Sequence, residues 1–456
     1  MGQGPPNCNR GSQINSRRKQ GEYIMKHIVV KPGRTLDGTV SVPGSKNSSL
    51  ALMAAACLSD EPVTLKGIPK ITDLDVFSRI GEDLGLVIYR DEENTVLLDP
   101  RGIRSSVVDP ARASAFRTAY YFIGALLAKH GKVSLGYPGG DDFVSRPIDQ
   151  HVKALMAMGA KFVFHTDYYE VECPQLKGAD IYFDTISSGA TINAMLAAAR
   201  ASGRTTLRQA ARDPEVVDTA QLLIKMGAKI RGAGSDTITI EGVGHLRGCT
   251  YTAIPDRLIA GAFLIAAGAT DGIVTVNDVI PEHLGSCIAK LREIGMDVEE
   301  TDHSVTAFVG GRLKPTRVRT AMYPGFPTDL QQPLTALLTR IPGTSLIADR
   351  IYPKRYQHVP QLTRMGANID VRSGVARIRG GAPLRGTLVH ASDVRAGICL
   401  LIAALTAEGT TSIAGVRHIE RGYENIAATF RSLGADVSLR NTEDEGAYGF
   451  YANSGS

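Results

Sequence analysis

The chain reads as an α/β protein of six repeated units arranged as two lobes of three, with its functional site in the cleft between the lobes. Three observations predict this. A short phrase recurs six times, as "DLGLVIY", "AMGAKFVF", "KMGAKIRG", "EIGMDVEE", "RMGANIDV" and "SLGADVSL". Its glycines, Gly85, Gly159, Gly227, Gly295, Gly366 and Gly434, are spaced 74, 68, 68, 71 and 68 residues apart. A second phrase fills the other half of each period: an Ala-rich apolar helix, a small turn and a strand, as in "LALMAAACLSDEPVTL" and "CLLIAALTAEGTTSI". Finally, 456 residues exceed what one hydrophobic core supports, so six equal units divide most naturally into three plus three. A cleft between two lobes is then the default ligand site.

Each element follows from local chemistry. Residues 1–24 are polar, rich in Gly, Pro and Asn, and lack the apolar core of a secretory signal, so a disordered extension is expected there. Strand-like alternation begins at "MKHIVVKPG", from Met25. In every unit an amphipathic stretch such as "DQHVKALMAMGA" ends in Gly before alternating apolar residues, which predicts a helix, a glycine turn and a strand. A period near 70 residues is longer than the roughly 20 to 50 of solenoid repeats. Each unit is therefore a small α/β fold in its own right.

Bulk properties narrow the function. Hydrophobic content of 43% and charged content of 21% are those of an ordinary globular protein. A net charge of +5, spread along the chain without a long basic run, argues against nucleic acid and fits a small anionic substrate. The longest apolar runs, "AGAFLIAAGA" and "AGICLLIAALTA", are about half the ~20 residues of a membrane span. Six separated cysteines with no C-x-x-C pair or zinc spacing point to a reduced cytoplasm and to no metal site. H-E-x-x-H, G-x-S-x-G and a strand-to-helix G-x-G-x-x-G are all absent, which removes the zincin, serine hydrolase and dinucleotide readings.

Charged residues stand where anion chemistry could use them. Lys46 and Asn47 follow a Pro-Gly turn at the start of the first Ala-rich helix, where free N–H groups and the dipole draw anions. Of Arg117, Arg146, Arg395 and Arg421, three lie at turn edges or just before apolar helices, and each offers a planar fork for phosphate or carboxylate, although any one alone reads as an ordinary surface ion-pair residue. Asp141 and Asp142 sit on a diglycine turn, Asp329 in "YPGFPTDLQQP" and Asp393 in "HASDVRAG". General acid–base work is one reading of these carboxylates. A helix cap for Asp393 and an Asx turn for Asp329 are the plainer ones.

Taken together, "GSKNSSL", "RPID", "ARDPEVVDTA", "IPDR", "FPTDLQ", "RYQHVPQLTRMGA", "SDVRAG" and "HIERGYENI" resemble the enolpyruvyl transferases, and among them the branch that accepts UDP-N-acetylglucosamine. The likeness runs from about Met25 to Leu439. It implies two lobes of inverse α/β units, one of residues 25–45 plus 255–456 and an inserted one of 46–254. It also implies a cytoplasmic, metal- and cofactor-free transfer of the enolpyruvyl group of phosphoenolpyruvate to the sugar 3′-hydroxyl, releasing phosphate for peptidoglycan synthesis.

Carried onto this sequence, the resemblance makes Asp141, Asp329, Lys46 and Arg421 catalytic. Lys46, Asn47, Arg146, Arg395 and Arg421 would hold phosphoenolpyruvate. Arg117, Arg146, Pro147, Ile148, Asp149, Gln150, Thr185, Ile186, Ser187, Ser188, Asp329 and Ile351 would meet the nucleotide sugar, with Arg355 bordering them. Most relatives carry a cysteine where Asp141 stands. That cysteine is their proton donor and the target of fosfomycin, so insensitivity to fosfomycin is expected. The alternatives are a non-catalytic nucleotide-sugar-binding paralogue and a shikimate 3-phosphate transferase.

Overall fold

The computed structural model describes residues 25–115, 117–137, 139 and 148–442. The extension expected at residues 1–24 lies outside them.

Six four-stranded mixed sheets carry the repeat. In one unit, strand Asp180–Tyr182 runs through helix Ser188–Ala198 to the parallel strand Arg204–Arg208. Helix Pro214–Met226 then leads to Lys229–Arg231, which pairs antiparallel with Thr237–Glu241. Thr237–Glu241 in turn pairs antiparallel with Arg204–Arg208. The six recurring glycines all lie at or just past a helix end with φ between 91° and 112°. That left-handed conformation admits Gly without steric cost and turns the chain into the next strand.

Three of the units are completed by distant segments, one of them the unit that takes in strand Met25–Lys31. Asp37–Ser41 joins the sheet of Ile273–Asn277, and Thr250–Thr252 joins that of Val63–Lys66. The chain therefore crosses between two halves twice, and the crossings are stitched side by side. Ser45 N–H donates to the Ile254 carbonyl (2.7 Å) and Asp256 N–H to that of Pro43 (2.9 Å). Gly44 is required here, because a Cβ would lie 2.0 Å from the Gly67 carbonyl oxygen. Strand Met25–Lys31 pairs with both Thr411–Ala414 and Asp436–Thr442, bringing the two ends of the described chain into one sheet.

Two separate hydrophobic clusters result. One runs from Leu50 to Ala253; the other combines Ile28 to Val42 with Leu258 to Val437. The Ala-rich helices form their centres: Lys46–Ala56, Tyr121–His130 and Ser188–Ala198 in the first, and Arg257–Ala269, Gln331–Arg340 and Val394–Leu405 in the second. A helix apolar on all sides is stable only when surrounded, and Val394–Leu405 is buried along its whole length. Small residues let these helices approach closely. Among the described residues no helix is long and apolar enough to cross a membrane.

Candidate active site

Between the two clusters lies a cavity of about 860 Å³. Residues at or just before the N-terminal ends of all six buried helices line it: Lys46, Tyr121, Ser188, Arg257, Asp329 and Val394 among them. Aligned peptide dipoles leave partial positive charge at each such end, each adding about 0.3–1 kcal/mol for a nearby anion. The repeat thus makes an anion cleft before any side chain contributes.

Lys46 is the first residue of its helix, capped by Ser45, whose Oγ accepts from Ser48 N–H (3.3 Å). Its backbone N–H donates to Asp256 Oδ2 (3.0 Å), while Asp256 Oδ1 caps the facing helix through Leu258 and Ile259 N–H (2.9 and 3.0 Å). One buried aspartate at the crossing therefore fixes two helix starts, which accounts for the "IPDR" motif. Lys46 Nζ reaches Asp73 Oδ2 at 2.6 Å. The other oxygen of Asp73 accepts from Arg421 Nε at 2.8 Å, so the carboxylate joins a cation from each cluster. Burial would raise the Asp73 carboxyl, but Lys46 and Arg421 outweigh it and hold it below its ordinary value.

Asp329 stands in the short turn before helix Gln331–Arg340. Its Oδ1 accepts from Arg355 (2.6 Å) and its Oδ2 from Arg395 Nε (3.1 Å). Burial again pushes upward, and the Arg355 and Arg395 guanidiniums overcome it, holding Asp329 well below the usual carboxylate range. Asp393 caps Val394–Leu405 by accepting from Arg395 and Ala396 N–H (2.9 and 3.0 Å), which is the plainer of its two sequence readings. Asp329 makes ion pairs into the cavity, beyond any turn closure. Buried Asp349 accepts from Thr328 Oγ1 (2.6 Å) and from Ile351 and Tyr352 N–H (3.0 and 2.8 Å), tying the Ile351 wall to the Asp329 turn.

A further part of the lining is Asp149 and Gln150, at the start of helix Asp149–Ala157, with Thr185, Ile186, Ser187 and Ser188. Ser187 Oγ accepts from Ala190 N–H (3.2 Å), capping Ser188–Ala198. Gly189 lies against the Tyr120 ring, where a Cβ would meet the hydroxyl at 2.6 Å. His151 Nδ1 and Asn193 Nδ2 lie 3.1 Å apart, and Asn193 Oδ1 accepts from Gly124 N–H (2.7 Å), bolting three helices together behind this wall.

Of the residues expected from sequence, Lys46, Asn47, Asp149, Gln150, Thr185, Ile186, Ser187, Ser188, Asp329, Ile351, Arg355, Arg395 and Arg421 line this one cavity. Ile148 is outside the lining and packs, partly buried, against the first cluster. Asp141, Asp142, Arg146 and Pro147 lie outside the described residues, as does the side chain of Arg117. Reasoning from sequence missed Asp73, Glu215 and the role of Arg257. Asp73 looked like any acid in a first helical turn. Glu215 and Arg257 both line the cavity and pair with one another at 3.5 Å, and burial raises the Glu215 carboxyl. Among the described residues no cluster of three or more His, Cys, Asp or Glu is placed to hold a metal.

Comparison with known proteins bears on this geometry. A profile of the family described as EPSP synthase (3-phosphoshikimate 1-carboxyvinyltransferase) matches residues 30–430. The chain is 45% identical over 413 residues, 91% of its length and 96% of the relative's, to UDP-N-acetylglucosamine 1-carboxyvinyltransferase 2 of Bacillus anthracis. It is 44% identical over 423 residues, 92% of its length and 98% of the relative's, to the Bacillus subtilis protein of the same name. Among solved structures, the enolpyruvyl transferase NikO from Streptomyces tendae superposes with a TM-score of 0.83 at 25% identity, covering 92% of this chain and 100% of that one. EPSP synthase from Acinetobacter baumannii shares the fold, with a TM-score of 0.66 at 18% identity over 91% of this chain and 100% of that one. The chain belongs to the enolpyruvyl transferase family, with the UDP-N-acetylglucosamine 1-carboxyvinyltransferases as its curated relatives.

Proposed function

We propose that this chain transfers the enolpyruvyl group of phosphoenolpyruvate to the 3′-hydroxyl of UDP-N-acetylglucosamine in the cytoplasm, as a step of peptidoglycan precursor synthesis. What supports the reading most is the convergence of Lys46, Arg395, Arg421 and Asp329 on one cavity in a chain 45% identical to enzymes of that name. The lobes are taken as residues 25–45 plus 255–456 and 46–254, in keeping with the two hydrophobic clusters.

Phosphoenolpyruvate brings a phosphate and a carboxylate that compete with Asp73 and Asp329 for their cations. In our reading its phosphate lies near Lys46, Asn47 and Arg421, with Arg146, and its carboxylate draws on Arg395. Asp329 then keeps one guanidinium instead of two, and its proton affinity rises as the substrate arrives. The nucleotide occupies the wall of Ile148 to Gln150 and Thr185 to Ser188, with Arg117, Pro147 and Ile351, and the sugar hydroxyl faces Asp329.

Asp141, as a carboxylic acid, gives its proton to C3 of the enol, which makes C2 electrophilic. The sugar oxygen bonds to C2 while Asp329 takes its proton. The carboxylate left at Asp141 takes a proton back from C3 as phosphate departs from C2 carrying the proton held by Asp329, which regenerates the double bond and both groups. The cations and helix ends hold charge on the phosphate throughout. With aspartate at 141 in place of a thiol, fosfomycin is expected to leave activity unchanged and form no adduct detectable by intact mass spectrometry.

Phosphate release is the test. Phosphoenolpyruvate with UDP-N-acetylglucosamine should release phosphate, and shikimate 3-phosphate in its place should not. The family profile's own description favours the second acceptor, and release with that acceptor alone would establish it instead. Release with neither would leave a binding paralogue.

A further inference from the structure

The side chain of Gln150 faces the nucleotide-sugar wall, yet its amide is already committed. Gln150 is 6% exposed. Its Oε1 accepts from Asp184 N–H at 2.9 Å, and its Nε2 donates to Asp149 Oδ2 (2.8 Å) and Asp184 Oδ2 (3.3 Å). One turn along the same helix, Lys153 Nζ meets Asp184 Oδ1 at 2.6 Å. Asp184 directly precedes Thr185, the first residue of the second wall segment. Two segments that both line the cavity, 34 residues apart in sequence, are therefore clipped together by the Gln150 amide, with the Lys153 ammonium beside it.

An amide is the side chain this place demands. Its two N–H donors lie between the Asp149 and Asp184 carboxylates, and its oxygen accepts the Asp184 backbone N–H. Leucine of similar size would leave that N–H and both carboxylates without these bonds. Glutamate would add a third negative charge.

Resting on the functional reading above, we propose that Gln150 is a positioning residue for the nucleotide: through Asp184 it sets the separation of the Asp149 and Thr185–Ser188 walls and so governs affinity for UDP-N-acetylglucosamine, while phosphoenolpyruvate, anchored chiefly by Lys46, Arg395 and Arg421, whose carboxylate partners are Asp73 and Asp329, depends on it far less. Such support matters because displacing a binding wall by about 1 Å can cost a hundredfold in rate.

The test compares wild type with Q150L and Q150E by steady-state kinetics, by calorimetric binding of UDP alone, and by hydrogen exchange. Q150L should raise KM for UDP-N-acetylglucosamine and weaken UDP binding about tenfold, the effect of losing hydrogen bonds to charged partners. It should leave kcat and KM for phosphoenolpyruvate within about twofold and speed exchange at residues 185–188 before the rest of the fold. Q150E should be worse on the same parameters, and D184N added to Q150E should recover part of the loss. Unchanged UDP affinity in Q150L, or a parallel rise in both KM values, would overturn the proposal. Wild-type protein that binds no UDP and turns over no nucleotide sugar would remove the functional reading itself, and the proposal with it.

Discussion

Two carboxylates at the floor of the cleft are each held by two cations, and they are built for different work. Asp73 joins Lys46 from its own cluster to Arg421 from the other, and its side chain is 7% exposed. Asp329 pairs with Arg355 and Arg395, all within the second cluster, and keeps 25% of its side chain open. A nearly sealed carboxylate between two lobes aligns cations and offers a substrate little access. An open one between two guanidiniums can meet a hydroxyl once a competing anion draws one of them away. Similar ion counts thus suit a latch in one place and, in the function proposed above, a base in the other.

The largest expected effect breaks the base. Asp329→Asn should lower the rate of phosphate release by about 10²- to 10⁴-fold, the usual range for a lost general base. It should also destabilise the free protein by about 3–5 kcal/mol, because buried Arg355 and Arg395 lose the carboxylate that both pair with. Phosphoenolpyruvate, a replacement anion, should recover part of that loss in a thermal melt. Asp73→Asn comes next. Lys46 and Arg421 would lose their shared anchor, and KM for phosphoenolpyruvate should rise about 10- to 100-fold with a smaller change in kcat. Equal losses of kcat in the two variants would erase the distinction between latch and base.

A pH titration of stability sharpens the contrast. Asp73 and Asp329 have folded values below their unfolded ones, near 3.9 for aspartate. Their contribution is therefore complete above that value and is lost as pH falls through the folded ones. His358 behaves otherwise. It is fully buried, and burial pushes its imidazole down to about 3, with a weaker upward pull from Asp393. The unfolded chain takes up this proton below about 6.5 while the folded one does not, so stability should fall by up to about 1.4 kcal/mol per pH unit from there towards 3. Denaturant melts of His358→Gln should be flatter between pH 6.5 and 4 and should still fall below 4.

The smallest effects belong to the helix caps. In the first cluster Ser45 and Ser187 cap helices that line the cavity; in the second, Asp256 and Asp393 do so. Serine leaves the helix end positive, whereas aspartate neutralises it and hands anion binding to arginines. Ser187→Ala and Asp393→Ala should each cost about 1 kcal/mol in a denaturant melt. Only Asp393→Ala should also disturb phosphoenolpyruvate binding, since Asp393 accepts from the Arg395 backbone.

The repeat was legible in the sequence because each unit needs the same two devices, a left-handed glycine after one helix and an all-apolar second helix, and both leave letters at fixed spacing. Lys46, Arg395 and Arg421 were legible as cations at helix starts or turn edges. Asp73 was not, because an acid in a first helical turn is an ordinary dipole partner and its two cations lie 27 residues before it and 348 after it. Gln150 was legible as a wall residue but not as a clip, since only folding brings Asp184 beside it. Sequence could list the groups at the cleft; the pairing that gives them their roles is long-range.

One measurement bears most directly on the chemistry: the reaction run in D₂O, with the nucleotide-sugar product examined by mass spectrometry and proton NMR. Addition followed by elimination passes through a methyl group at C3, so the vinyl carbon of an enolpyruvyl UDP-N-acetylglucosamine product should carry deuterium. A product formed with an unlabelled vinyl group would contradict protonation at C3, and with it the acid and base roles drawn from this cleft.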